Sequence, residues 1–332
     1  MKAIFVSVSG RENIERAYKK ETRELLENRY HFENGIYDSQ TIKENRFQDV
    51  EIIFSTWGML NLTAAEAKKY FPNLKAIFYA AGSVQDFAPG FIANGVKIFS
   101  AFQANAIPVA EFTIAQIILA NKGYFISQLF YKRGEFDKAS KFSRSLPGTW
   151  GESVGILGAG AVGKKVIELL KPFNLKILVF DPYLSESDRL NLGVESVSLD
   201  EIFSGCLCIS NHLANNDKTK GMLNYKYFSQ MRENAVFINT GRGAQVVEED
   251  LVRALRESPE RTALLDVTYP EPVLPNHSFY KLDNVFLSPH IAGSLGDEIG
   301  RMGAYMLAAS TAFSDKQPLI YEVTEEMLAT MA

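Results

Sequence analysis

Residues 154–163 read VGILGAGAVG, in which an apolar run leads directly into three glycines spaced G-x-G-x-x-G. This pattern predicts a strand, a tight turn at Gly158 and a helix that opens at Ala161. Gly160 would let a pyrophosphate approach the backbone, and Gly163 would let the helix pack close to the strand. The free N–H groups at the start of that helix then face the anion. The stretch therefore predicts a dinucleotide-binding βαβ unit.

An acidic residue, Asp181, stands at the end of the next predicted strand, residues 176–180. A carboxylate at that place accepts hydrogen bonds from both hydroxyls of a ribose and repels a 2′-phosphate. We therefore expect NAD rather than NADP as the cofactor. Arg189 is the one nearby residue expected to weaken that preference.

The composition indicates a globular protein with enough apolar material for two cores, because 46% of its 332 residues are hydrophobic and 22% are charged. The formal net charge is -4, so there is no basic excess that would favour nucleic acid as a partner. Cys206 and Cys208 are expected to be reduced core thiols on alternate faces of a strand. No pair of histidines has the helical spacing of metal ligands, and we predict no catalytic metal.

Neither a leader nor a membrane span is expected. The apolar run 3–8 is too short for a secretory signal. The longest apolar stretch, 107–120, is interrupted by Glu111, Thr113 and Gln116, which argues against a bilayer crossing. The expected location is the cytoplasm.

Short β-rich runs alternate with amphipathic helical runs along nearly the whole chain, which indicates parallel sheets built from βαβ units. The predicted strands cover residues 3–8, 51–55, 75–79, 97–100, 153–157, 176–180, 207–210, 235–239, 263–267 and 285–287. The predicted helices cover residues 14–27, 64–70, 106–124, 161–170 and 248–256. We predict an α/β protein with one domain made of residues 1–104 and 297–332 and a second made of residues 105–296.

Polar residues follow the predicted strands of the second domain, where each strand ends. In chain order they are the turn at Gly158, then Asp181, His212, Arg242, Asp266 and His290. Because the carboxyl ends of parallel strands meet at one edge of a sheet, and ligands of open α/β sheets bind there, we expect these residues to share a site.

Three further segments carry a resemblance to a known family: NTGRG at 239–243, LDVTYPEP at 265–272 and SPHIAG at 288–293. Together with the glycine turn and Asp181, and in this order, they resemble the signature set of the D-isomer-specific 2-hydroxyacid dehydrogenases. The agreement is close over most of residues 105–296 and looser before them. The resemblance implies a Rossmann NAD-binding domain with a doubly wound parallel sheet and a smaller flavodoxin-like α/β substrate domain.

The resemblance also implies an NAD-dependent oxidoreductase that interconverts a small D-2-hydroxy acid and its 2-keto acid. His290 would exchange a proton with the substrate oxygen, and Glu271 would pair with His290. Arg242 would bind the substrate carboxylate and carbonyl oxygen. Asp266 would accept a hydrogen bond from the nicotinamide carboxamide. The other implied cofactor contacts are Gly158, Ala159, Gly160, Ala161, Val162, Asp181, His212, Thr240 and His290.

The first domain is expected to supply the substrate contacts, with the site between the two domains. Trp57 would limit the side chain of the substrate, and the N–H groups of Gly82 and Ser83 would bind its carboxylate. Val84 and Gln85 then replace the family's glycine-richer turn and Asp, which leaves the substrate open among glyoxylate, hydroxypyruvate and pyruvate. A phosphorylated acid is disfavoured, because no basic cluster lies near residues 80–102.

Several interpretations stay open at this point. The alternatives to the oxidoreductase are an NAD(H)-sensing binding protein of the corepressor type and a formate- or phosphite-type dehydrogenase on the same fold. Ala214 replaces a proline that is common in the family, which is expected to loosen its loop. His277 and His31 are expected to be surface histidines. The resemblance implies a homodimer, with residues 106–142 as the candidate contact.

Overall fold

The computed structural model describes residues 1–44, 47–329 and 331. The chain divides into two units, one formed by Met1–Asn105 with Ser294–Met331 and the other by Ala106–Gly293. The predicted division, after residues 104 and 296, lies within three residues of these limits.

The strands alternate with helices, as the α/β pattern predicts. In the described residues the strands are β1 (Lys2–Val6), β2 (His31–Tyr37), β3 (Ile52–Ser55), β4 (Ala76–Tyr79), β5 (Lys97–Ser100), β6 (Ser153–Leu157), β7 (Lys176–Phe180), β8 (Glu195–Ser196), β9 (Cys208–Asn211), β10 (Val236–Asn239), β11 (Thr262–Leu265), β12 (Val285–Leu287) and β13 (Glu322–Val323). The α-helices are α1 (Arg11–Ala17), α2 (Lys20–Arg29), α3 (Ser39–Glu44), α4 (Ala64–Tyr70), α5 (Ala88–Ile92), α6 (Phe102–Asn121), α7 (Tyr124–Lys132), α8 (Phe136–Ser145), α9 (Ala161–Leu170), α10 (Glu186–Leu192), α11 (Leu199–Gly205), α12 (Tyr225–Phe228), α13 (Glu248–Glu257), α14 (Ile299–Ser314) and α15 (Glu325–Leu328). Short 3₁₀ turns cover Lys171–Phe173, Gly243–Gln245, Ser278–Lys281 and Gly296–Glu298.

The sheet of the first unit has the order β13-β5-β4-β3-β1-β2, in which β13 is antiparallel and the other strands are parallel. The parallel part has the flavodoxin-like order 2-1-3-4-5. Phe5, Phe54, Phe78 and Phe99 stand opposite one another on neighbouring strands, with ring centroids 4.7 to 5.9 Å apart. Because side chains alternate along a strand, this aromatic row fills one face while isoleucines fill the other.

The predicted helix 14–27 is wrong as one element, because the chain forms α1 and α2 with a break at Tyr18. Tyr18 is fully buried, and its hydroxyl donates hydrogen bonds to the carbonyls of Ser55 and Phe78. A buried phenol hydroxyl needs hydrogen-bond partners. These hydrogen bonds hold Tyr18 in place and stabilise the break between α1 and α2.

The sheet of the second unit is entirely parallel and has the order β12-β11-β10-β9-β6-β7-β8. Strand order reverses between β6 and β9, which makes the sheet doubly wound and opens a crevice at the carboxyl ends of these two strands. Cys206 and Cys208 are buried and form no disulfide, and they pack into cores on opposite faces of this sheet. The prediction that both lie on one strand is wrong, because Cys206 follows α11 and only Cys208 lies on β9.

α6 is the one helix of the described residues that is long and apolar enough to cross a membrane. The helix extends over 20 residues, and Glu111, Thr113 and Gln116 interrupt its apolar side chains. Its buried side chains, including Ala110 and Ile117, pack against Val154 and Ile156 of β6. We therefore interpret α6 as a core helix of the second unit.

Candidate active site

The glycine turn between β6 and α9 has the geometry that a dinucleotide requires. Gly158 has a φ of +88°, and a Cβ there would lie 2.6 Å from the carbonyl oxygen of His212. A Cβ on Gly163 would lie 2.0 Å from the carbonyl oxygen of Gly158, so the helix packs directly on the turn. At Gly160 a Cβ would meet nothing within 4 Å, which leaves room for a pyrophosphate at the start of α9.

Asp181 follows β7 and binds the same turn. Its Oδ2 accepts a hydrogen bond from the Ala159 N–H at 2.7 Å, and its Oδ1 accepts one from the Tyr183 N–H at 2.8 Å. Each oxygen keeps a lone pair for a ribose hydroxyl. Arg189 pairs with the carboxylate of Glu186, so its charge already has a partner.

The other residues predicted from the second unit also stand at carboxyl ends of its strands. His212 directly follows β9, Thr240 and Arg242 follow β10, Asp266 follows β11, and His290 lies just beyond β12. Since all of these strands are parallel, the fold brings them to one edge of one sheet.

The backbone of His212 contacts the glycine turn, because its N–H donates a hydrogen bond to the Leu157 carbonyl at 2.7 Å. Its Nε2 lies 2.9 Å from the hydroxyl of Ser210, and its Nδ1 lies 3.5 Å from that of Thr240. Burial lowers the pKa of His212 to about 3, so the ring is neutral at physiological pH. We interpret His212 as a scaffold for the turn rather than as an acid or base.

The loop after His212, which contains Ala214, is hydrogen-bonded to two side chains further along the chain. The buried amide of Gln245 donates to the carbonyls of Leu213 and Ala214, at 2.7 and 2.9 Å, and the hydroxyl of Thr219 donates to Ala214 as well. These hydrogen bonds restrain the loop without a proline. Gln245 was not among the predicted site residues, and its one signal in the sequence is a polar residue inside an apolar run.

Asp266 is buried and binds the turn that carries His290. Its Oδ1 accepts hydrogen bonds from the Ser288 hydroxyl and the Ile291 N–H, and its Oδ2 accepts one from the Ala292 N–H at 2.8 Å. His290 has a φ of +54°, a conformation that residues other than glycine seldom adopt. Asp266 therefore holds this turn, and a contact with the nicotinamide carboxamide stays a prediction.

Glu271 and His290 form a hydrogen-bonded pair, with 2.7 Å between Glu271 Oε1 and His290 Nδ1. Both side chains are close to half exposed. Because a carboxylate only accepts hydrogen bonds, Nδ1 carries a proton. Nε2 is then the nitrogen that can exchange a proton with a bound molecule.

Arg242 lies beside this pair. Its Nη1 donates a hydrogen bond to the carbonyl of Gly241 at 2.8 Å. Burial lowers the pKa of the guanidinium, and the negative charge of Glu271 opposes that shift, so Arg242 stays charged. A Cβ on Gly243 would lie 2.1 Å from the carbonyl carbon of Thr268, so the loop of Arg242 packs on the segment that leads to Glu271.

The predicted substrate residues of the first unit follow β3 and β4. Trp57 is 37% exposed. The hydroxyl of Ser100 donates to the carbonyl of Gly82, which precedes Ser83 in the turn after β4. A Cβ on Gly82 would lie 3.7 Å from the amide nitrogen of Asn105, a residue that the sequence analysis did not single out.

Val84 and Gln85, where the sequence departs from the family pattern, have structural partners in the first unit. Val84 is fully buried. The amide of Gln85 donates to the carbonyls of Leu328 and Met331, at 3.2 and 2.8 Å. Through Gln85, the turn after β4 is hydrogen-bonded to the segment that follows β13.

Comparison with known proteins decides the family. Residues 114–292 match the model of the D-isomer specific 2-hydroxyacid dehydrogenase NAD-binding domain. The chain belongs to this family. The cofactor of its second unit is NAD, and the open turn at Gly160 and the carboxylate of Asp181 fit that cofactor.

Among the relatives of this dehydrogenase-family chain, a putative 2-hydroxyacid dehydrogenase, YoaD of Bacillus subtilis, is 36% identical over 60% of the chain and 59% of the relative. A glyoxylate reductase of Thermofilum pendens is 30% identical over 72% of the chain and 71% of the relative. Two D-3-phosphoglycerate dehydrogenases match over 43% and 38% of their own length, so the chain spans less than two thirds of several curated relatives.

Solved structures share the fold of this family member. A phosphoglycerate oxidoreductase from Rhizobium etli has a TM-score of 0.81 at 22% identity and covers 98% of this chain and 99% of its own. Apo D-mandelate dehydrogenase of Rhodotorula graminis has a TM-score of 0.79 at 17% identity, over 98% and 97%. At these identities the likeness shows the fold alone.

Proposed function

We propose that this protein is an NAD-dependent oxidoreductase that interconverts a small D-2-hydroxy acid and its 2-keto acid. The observation that carries the proposal is the 2.7 Å hydrogen bond between His290 and Glu271, with Arg242 beside it. Reduction of a carbonyl next to a carboxylate needs a proton donor and a fixed cation, and these residues supply both. When bound, NADH supplies the hydride for the carbonyl carbon.

In this proposal His290 holds the transferable proton at Nε2. In the reductive direction the imidazolium gives that proton to the carbonyl oxygen, and in the oxidative direction neutral Nε2 takes it from the hydroxyl group. Glu271 accepts the Nδ1–H, which stabilises the imidazolium and fixes the plane of the ring.

Arg242 would bind the carboxylate and the carbonyl oxygen of the substrate. One of its N–H groups is used on the carbonyl of Gly241, and the rest of the planar donor set remains for the substrate. A fork of parallel donors matches a carboxylate, and its charge stabilises the negative charge that develops on the carbonyl oxygen.

We propose a small, unphosphorylated substrate, in line with the glyoxylate and hydroxypyruvate reductases among the relatives. Lys97 is the one Lys or Arg between residues 80 and 102, and it pairs with Glu322 at 2.5 Å. That region therefore offers no free cation for a phosphate. Trp57, Gly82 and Ser83 remain the proposed substrate contacts of the first unit.

Formate oxidation is the other reaction that a relative suggests, since a Neurospora crassa formate dehydrogenase is 28% identical over 82% of the chain. The formate anion gives up a hydride to become carbon dioxide, and no proton moves to or from an oxygen atom. A paired acid and base would have no proton to transfer in that reaction. The His290–Glu271 pair therefore favours the 2-keto acid.

The test follows NADH absorbance with glyoxylate, hydroxypyruvate and pyruvate, and NAD reduction with formate. We expect turnover of at least one 2-keto acid and none of formate. Turnover of formate alone would contradict the proposal. Tight NADH binding without any turnover would instead identify an NAD(H)-sensing binding protein.

Asp181 is expected to set the preference for NADH over NADPH. Replacing Asp181 with serine removes the ribose acceptor and the charge that repels a 2′-phosphate. We expect kcat/KM for NADH to fall about tenfold, the loss of roughly one good hydrogen bond, while kcat/KM for NADPH rises. Steady-state kinetics with both cofactors measures the ratio of kcat/KM for NADH to kcat/KM for NADPH.

Asp188→Ser is the matched control, because Asp188 is an exposed acid that pairs with Lys164. Equal use of both cofactors by the unaltered protein would refute the role of Asp181.

We also propose that the protein is a cytoplasmic homodimer. On and near α7 and α8 the side chains of Tyr131, Phe136 and Trp150 are 63%, 60% and 80% exposed. Exposed aromatic groups of this kind are enriched at interfaces. The two buried, unpaired cysteines fit a reducing compartment. Sedimentation equilibrium is expected to give twice the chain mass, and a monomer at micromolar concentration would contradict the dimer.

A further inference from the structure

The segment from Tyr269 to Asn276 carries Glu271 and has little packing of its own. Val273 is its one buried residue, and the others are exposed. A backbone with a single buried side chain opens locally at low free energy unless polar contacts hold it. Contacts from outside the segment therefore decide where Glu271 lies.

Glu248, the first residue of α13, makes such a contact. Its Oε1 accepts a hydrogen bond from the Tyr269 N–H at 2.8 Å, two residues before Glu271. Its side chain is only 12% exposed. Burial raises the pKa of the Glu248 carboxyl, and the Tyr269 N–H and His277 oppose that shift.

His277, which directly follows the segment, also binds Glu248. Its side chain is 14% exposed, with Nε2 3.5 Å from Glu248 Oε2. Its Nδ1 accepts a hydrogen bond from the Phe279 N–H at 3.2 Å, so the proton of the neutral ring is on Nε2, facing the carboxylate. Glu248 thus contacts Tyr269 at the start of the segment and His277 directly after its end.

We propose that Glu248 is a positioning residue for the reaction: by accepting the Tyr269 N–H it fixes the backbone that carries Glu271, and so holds the carboxylate that orients His290. This role rests on the proposed function. The competing role is purely electrostatic, since a negative charge at the start of a helix stabilises that helix wherever its oxygen points.

Two conservative variants separate the roles. Glu248→Gln keeps an oxygen at the same reach and loses the charge, whereas Glu248→Asp keeps the charge and withdraws the oxygen by one methylene. If Glu248 positions the segment, Glu248→Gln retains kcat within about threefold and Glu248→Asp loses roughly 10- to 100-fold. KM for NADH should stay unchanged in both, because the glycine turn is untouched.

Glu249 supplies the matched control. It is the next residue of the same helix turn and carries the same charge, and its side chain is 76% exposed. Its Oε1 also lies 3.7 Å from His277 Nε2, but the Tyr269 N–H is bound by Glu248, so the control isolates that hydrogen bond. Glu249→Gln is therefore expected to leave kcat unchanged. Thermal unfolding of each variant shows whether it is folded at the assay temperature.

A double-mutant cycle with Glu271→Ala tests the route of the effect. If Glu248 acts through Glu271, Glu248→Asp changes kcat by less than about twofold once Glu271 has been removed. An equal loss in both backgrounds overturns the positioning role, and so does a fully active Glu248→Asp beside an impaired Glu271→Ala. A fully active Glu271→Ala overturns the role of Glu271 in orienting His290, whereas an unaltered protein that turns over no 2-keto acid overturns the proposed function itself.

Discussion

Replacing His290 with asparagine is expected to lower kcat for the preferred 2-keto acid by at least about 100-fold, the usual contribution of a positioned acid or base. The ring is the one group of the Glu271–His290 pair that can deliver a proton, through Nε2. Asparagine tolerates the φ of +54° at this position better than other residues without an acidic or basic group. The substitution therefore removes the proton donor and retains the turn.

The measurement is NADH oxidation under saturating substrate, beside the NADH dissociation constant from fluorescence. We expect the dissociation constant to change far less than kcat. His31→Asn is the control, because His31 starts β2 in the first unit, which does not contain the pair. Similar rates for the His290 variant and the unaltered protein would refute the assigned role.

Replacing Arg242 with lysine is expected to lower kcat/KM for the 2-keto acid by roughly 100- to 1,000-fold, the loss seen when a preorganised donor to a developing oxyanion is removed. Lysine keeps the charge but offers a point donor instead of a planar fork. It also lacks the reach to bond the Gly241 carbonyl and a substrate together. Both KM for the acid and kcat should change, since the guanidinium binds the ground state and the developing oxyanion alike.

Arg232→Lys is the matched control for Arg242. Arg232 pairs with Glu152 at 2.7 Å, just before β6 begins, and so lies at the amino end of the strands rather than at their carboxyl ends. Its replacement should leave kcat/KM unchanged. An Arg242→Lys variant as active as the unaltered protein would show that the fork geometry is not used.

The regular elements of the fold could be predicted where neighbouring residues alone encode them. Four strands have the predicted limits: residues 97–100, 153–157, 176–180 and 285–287. The helices α4 and α9 also begin and end at the predicted residues. These segments combine a clear apolar period with turn residues at both ends. β2 escaped prediction because HFENGIY mixes polar residues and a glycine into an edge strand, which needs little apolar alternation.

The candidate site was predictable as a set of residues, and of its contacts the Glu271–His290 pair followed from the family resemblance while others did not. The glycine turn, Asp181, Arg242, Glu271 and His290 each stand in a recognisable local pattern. The sequence did not indicate that Asp266 binds the His290 turn, that Gln245 restrains the loop of Ala214, or that His277 contacts Glu248. Each of these depends on which backbone groups other strands and loops bring within hydrogen-bonding distance.

The amino-acid sequence by itself determined the α/β class, the position of the dinucleotide turn and the identity of the ionisable residues, because short-range steric and hydrophobic preferences act between close neighbours in the chain. The pairing of Glu271 with His290 followed from the family resemblance, whereas only the tertiary structure decided that Asp266 binds the turn of His290 and that Glu248 binds the backbone before Glu271. Hydrogen bonds act over a single atomic contact, and residues 19 to 26 positions apart come that close only after the parallel strands have paired.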